Sequence, residues 1–111
     1  EMDAAISCWD IKYFYFNPRP TQMDSRIKTL TGIPNFPSYV SGHSMFSAAA
    51  ETILGHLIPS RAGAYLSMAQ EAANSRVLGG IHYVIDCSVG FTVGQNVGNY
   101  AVQRAMSDGA E

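Results

Sequence analysis

Cysteine is scarce: Cys8 and Cys87 are the only two in 111 residues, and neither stands in a zinc-like or redox-like spacing. That scarcity argues against a cysteine-built zinc site, leaves the pairing of the two open, and fits two small buried apolar side chains. Long apolar runs are missing as well. Glu51, His56, Arg76 and Asp86 break the most apolar windows, so no stretch approaches the roughly 18 residues of a membrane-spanning helix. Basic charge is in short supply, with 7 Lys and Arg against 9 Asp and Glu and no Lys/Arg run. Nucleic acid and an anionic membrane surface are therefore poor partners, and any anion site must be local. There is no internal repeat, low-complexity tract or heptad series. The chain opens on Glu1 without an initiator Met or an apolar leader, as a processed chain or a piece of a longer one would.

What is present is 47% hydrophobic residues with 14% charge, which predicts one domain over residues 1–111. Ala5, Cys8, Trp9, Lys12 and Phe16 recur at helical spacing, and Pro18 and Pro20 then end that helix. Lys12 is out of character on so apolar a face. Residues 17–40 hold four of the five prolines and read as an irregular connection, of a length that is commonly functional. From His43 to Leu57 the apolar positions Phe46, Ala49, Ala50, Ile53, Leu54 and Leu57 mark an amphipathic helix, with Ser41 as its N-cap. A third helical face runs from Tyr65 to Ala73, and Gly79 and Gly80 interrupt it after Ser75 and Arg76. The last helix is predicted over about 82–106, with Gly90, Gly94 and Gly98 every fourth residue along one side. Such a stripe admits a second backbone closely. The fold class expected is all-α.

Three stretches carry chemistry. In "PSYVSGHS" a helix is about to begin, and a helix start offers unpaired N–H groups and a positive dipole end to an anion. Ser41 and Gly42 would face that anion, and His43, at the head of the apolar face, is expected to point inward. In "SRVLGGIHYVID", His82 and Asp86 are four apart and are expected on one helix face in direct hydrogen bond, which fixes the ring tautomer and frees the other nitrogen. His82 would then be a nucleophile or a metal ligand, and Arg76 adds a planar donor fork. In "KYFYFNPRP", Lys12 and Arg19 add two more cations. Together these residues describe a site for a tetrahedral oxyanion.

The same stretches resemble the superfamily of type 2 phosphatidic-acid phosphatases, bacterial acid phosphatases and vanadium-dependent haloperoxidases, whose signature is K-x6-RP, PSGH and SR-x5-H-x3-D. The likeness spans Lys12 to Asp86 through Lys12, Arg19, Pro20, Ser41, Gly42, His43, Ser75, Arg76, His82 and Asp86, with Val40 in place of the usual proline before Ser-Gly-His. It implies a helical bundle of the acid phosphatase/haloperoxidase type, of which this chain looks like the C-terminal part. It also implies that Lys12, Arg19, Ser41, Gly42 and Arg76 bind phosphate or vanadate and that Asp86 orients His82. His43 would protonate the leaving oxygen or assist at vanadate. His82 would attack phosphorus, with no cofactor required, or would ligate vanadium if vanadate is the cofactor. Trp9 and Phe36 resemble the positions that line the halide side of some haloperoxidases. Phosphoester hydrolysis through a phosphohistidine is the leading expectation; peroxide-driven halide oxidation and a non-catalytic anion-binding piece stand beside it. Substrates are accordingly a phosphate ester, or halide plus peroxide. An exported, periplasmic location follows from the resemblance alone, and the aromatic surface of residues 13–16 would drive pairing into a homo-oligomer if uncovered.

Overall fold

The computed structural model describes residues 1–110, and its regular structure is helical. Helix α1 (Met2–Tyr15) ends one turn before the prolines, because Phe16 takes the left-handed conformation (φ 50°, ψ 43°) and returns its N–H to the Lys12 carbonyl at 2.9 Å. Pro20 does more than stop a helix. It is the first residue of a short helix α2 (Pro20–Met23), a position that suits its fixed φ and missing N–H, and Gln22 Oε1 accepts the Arg19 N–H there at 2.7 Å. The remainder of the connection is irregular up to α3 (Gly42–Leu57), which Ser41 caps by accepting the Ser44 N–H. A 3₁₀ turn over Pro59–Arg61 leads into α4 (Ala62–Leu78). The last helix, α5 (Val84–Asp108), begins two residues later than the sequence pattern suggests. Asp86, at its third position, reaches back to the N–H of Tyr83 at 3.1 Å, and that bond sets the start.

Helix α3 is the hub, packed most extensively on α5 and α4 and more lightly on α1. The buried apolar set is small: Cys8, Val40 and Met45 form its centre, with Ile11, Phe46, Val89, Val93 and Val97 packed around them. The molecule measures 52 × 29 × 18 Å, so its shortest dimension is under two helix diameters. Both cysteines are buried free thiols. No helix among the described residues is long and apolar enough to cross a membrane.

The glycine stripe of α5 lies on α3. A Cβ added at Gly90 would come within 2.9 Å of the Ser41 carbonyl oxygen, one at Gly98 within 2.7 Å of Thr52 Cβ, and one at Gly94 would run into the Met45 carbonyl oxygen and Ala48 Cβ. The obstacle at Gly94 is backbone and cannot swing aside. Gly94→Ala is therefore expected to lose about 2 kcal/mol or more, since forced overpacking outweighs the better helix propensity of alanine. Chemical denaturation of the two proteins measures the difference, and equal midpoints would refute close packing at this position.

Candidate active site

Lys12 points from α1 into the protein, 1% exposed, and donates from Nζ to the carbonyls of Pro37 (2.8 Å) and Ser38 (3.0 Å). Arg19, 2% exposed, donates from Nε to Phe36 O (3.1 Å), from Nη2 to Pro37 O (3.3 Å) and from Nη1 to Ile81 O (2.8 Å). Three successive carbonyls of the loop, from Phe36 to Ser38, thus wrap two cations, and the Phe36 ring lies 5.2 Å from Lys12 Nζ and 5.1 Å from the Arg19 guanidinium carbon. The sequence shows no reason for this loop to be ordered; its order comes from those buried charges.

The other Nη1 contact of Arg19 is to His82 Nε2, at 3.0 Å. On the far side of the ring, His82 Nδ1 is 3.0 Å from Asp86 Oδ2. A donor at Nε2 and a carboxylate at Nδ1 admit one arrangement, the neutral ring protonated on Nδ1 with its lone pair on Nε2. Burial is the main reason His82 is held below its ordinary pKa of 6.5; the bond to Asp86 opposes this, and Arg19 and Lys12 reinforce it. Burial pushes the Asp86 carboxyl up, but the bonds from His82, Ser38 and the Tyr83 N–H outweigh it and keep the group below 3.8. Lys12 is lowered to about 8, chiefly by desolvation. The contact between His82 and Asp86 does not arise on one helix face as the spacing suggests. His82 lies in the bend before α5 and folds back onto the first turn of the helix, where Asp86 serves both the ring and the helix start.

One cavity of about 440 Å³ is lined by Lys12, Arg19, Gly42, His43, Arg76 and His82, with Trp9 and Phe36 on its apolar side. All three stretches singled out in the sequence therefore meet. Trp9 and Phe36 pack edge to face with centroids 4.9 Å apart. Two residues sit differently from expectation. His43 is exposed at the cavity rather than turned inward, because it is the second residue of α3 and the apolar face begins beyond it; burial and then Arg76 still lower its pKa. Ser41 is fully buried behind the wall, with its hydroxyl turned to the helix N–H of Ser44. Arg76 is half-buried and donates its Nε–H to Ser75 Oγ at 3.0 Å. Sequence reading passed over Ser38, whose hydroxyl donates to Asp86 Oδ2 at 2.5 Å; a single serine in an irregular stretch gives no periodic signal.

A protein-family model matches residues 3–106, from the first helix through most of the last. The chain belongs to the PAP2 superfamily. No curated protein matches it. Among solved structures, this PAP2 chain is similar to one described as the first bacterial vanadium-dependent iodoperoxidase, at 34% identity with a TM-score of 0.81 over 91% of its own length. It spans 30% of the length of that solved chain. The all-helical fold of this PAP2 member follows from the two matches together.

Proposed function

We propose that this chain carries the oxyanion centre of a vanadate-dependent haloperoxidase, which oxidises halide with hydrogen peroxide. The observation that carries the reading is the neutral His82 ring, locked by Asp86 and presenting Nε2 to a cavity whose other walls are cationic and aromatic. Such a donor set fits a tetrahedral oxyanion: Lys12, Arg19, Arg76 and the free N–H of Gly42 at the start of α3 receive its oxygens, and His82 Nε2 offers the ligand. Bound vanadate would supply the Lewis acidity that activates peroxide. His43, on the cavity wall, exchanges protons with the reacting oxygens. Ser41 supports the anion site by holding the first turn of α3 in place. Trp9 and Phe36 give a large, polarizable halide an apolar, aromatic wall. The likeness to a bacterial iodoperoxidase favours this reading over hydrolysis.

Phosphoester hydrolysis is the second reading, favoured by the lone pair on His82 Nε2, which Arg19 Nη1 holds in place at 3.0 Å. Nε2 would attack phosphorus as the ester P–O bond breaks, His43 giving its proton to the leaving oxygen; water would then cleave the P–N bond and release phosphate. Cations and the helix end neutralise the developing charge in this version. Because His43 is lowered from 6.5, its acid form disappears as pH rises through a value below that, and hydrolysis should be fastest in acid.

The deciding experiment supplies the chain with orthovanadate, peroxide and iodide and follows triiodide, with p-nitrophenyl phosphate as the parallel substrate. Oxidation that needs all three components is expected. Hydrolysis with an acid optimum and no iodide oxidation would replace the first reading by the second.

A further inference from the structure

We propose that Ser38 is a positioning residue of this site, one whose hydroxyl fixes the Asp86 carboxylate against His82. The inference rests on the oxyanion-site reading and adds to it a residue that is none of the signature positions.

Ser38 is fully buried, and every polar group it has is committed. Its N–H donates to Asn17 O at 2.9 Å, its carbonyl accepts from Lys12 Nζ at 3.0 Å, and its hydroxyl donates to Asp86 Oδ2 at 2.5 Å. The same Oγ lies 3.4 Å from His82 Nδ1. Ser38 thereby ties together the Lys12 cation, Asn17 just beyond α1, and the His82–Asp86 pair. Two of its three bonds are made by backbone, so the position of the hydroxyl is set by the same contacts that hold the lysine.

The consequence lies at Asp86. Oδ2 accepts three bonds, from Ser38, from His82 and from the Tyr83 N–H. Tyr83 fixes the carboxylate along the helix start; Ser38 approaches from the loop whose carbonyls hold Lys12. Without the hydroxyl, the carboxylate keeps its link to α5 but loses its link to the loop, and the imidazole loses a defined plane. A partner once removed from the reacting ring commonly matters in this way: groups that orient a ligating or catalytic histidine typically change affinity or activity by about 10- to 100-fold when removed. The residue touches no reacting atom; it acts through Asp86.

Ser38→Ala, Ser38→Thr and the wild-type chain are to be compared by two measurements. The first is the His82 Nδ1–H proton resonance at fixed pH, observed without any ligand. A resolved resonance is expected in wild type and Ser38→Thr, and a displaced or exchange-broadened one in Ser38→Ala. The second is calorimetric affinity for orthovanadate, expected to fall about 10- to 100-fold in Ser38→Ala and to return in Ser38→Thr. An unchanged resonance together with unchanged affinity in Ser38→Ala would overturn the proposal. If Ser38→Ala fails to fold, Ser38→Cys, similar in size and a weak donor, takes its place with the same expectations. Should the wild type bind no vanadate, the reading of the site fails, and the proton resonance alone decides the role of Ser38.

Discussion

His82→Ala is expected to abolish tight orthovanadate binding and to cut turnover of either reaction by at least about a thousandfold, because it removes the Asp86-oriented nitrogen proposed as ligand or nucleophile. The remaining cavity keeps its cations, so weak, salt-sensitive anion binding should survive. The change also strips partners from two buried groups. Arg19 Nη1 retains Ile81 O, and Asp86 retains Ser38 and the Tyr83 N–H, so the stability loss should stay at about 1–3 kcal/mol and the fold should persist. Calorimetry with vanadate and thermal denaturation on one preparation separate the two effects. Wild-type vanadate affinity in the variant would remove His82 from the centre of the site.

Asp86→Asn is expected to lower turnover by about 10²- to 10⁴-fold with little change in shape, as when a buried carboxylate that orients a histidine becomes an amide. An amide oxygen is a poorer acceptor for three donors and no longer balances positive charge that develops on the ring. A second signature follows from the carboxyl's own titration. Its folded-state pKa is depressed below 3.8, so the contribution it makes to stability is present above that value and is lost as pH falls through the lower folded one. The wild type should therefore lose stability in strong acid through a step that the asparagine variant lacks. Denaturant midpoints between about pH 5 and 2 measure it; superimposable profiles would show that Asp86 is not held ionised by its neighbours.

Much of this site could be read before any fold was known, and the reason is physical. Lys12 stood out because a cation on an apolar helical face must have a buried purpose, and it does end among carbonyls. The α5 glycines stood out because only close backbone packing accounts for such a stripe, and α3 lies against it. What escaped the sequence was decided by contacts between distant segments. The short helix at Pro20 depends on Gln22 closing over the Arg19 N–H. The bend that brings His82 back to Asp86 depends on where α5 starts, which the carboxylate itself determines through Tyr83. Ser38 has no local pattern at all, since its importance comes from three partners on three segments.

The loop carbonyls that hold Lys12 and Arg19 have a thermodynamic consequence for anything that binds. Both side chains are long, and each carries about 2 kcal/mol of rotamer freedom when unrestrained. Here that freedom is surrendered when the chain folds. Two of the three Lys12 N–H groups and four of the five of Arg19 are engaged among the described residues, so the two charges stand in fixed positions before an anion arrives. Affinity then grows from preorganisation rather than from charge alone. Cutting the loop near Phe36 would be felt first as an entropic penalty on binding, with both cations still in place.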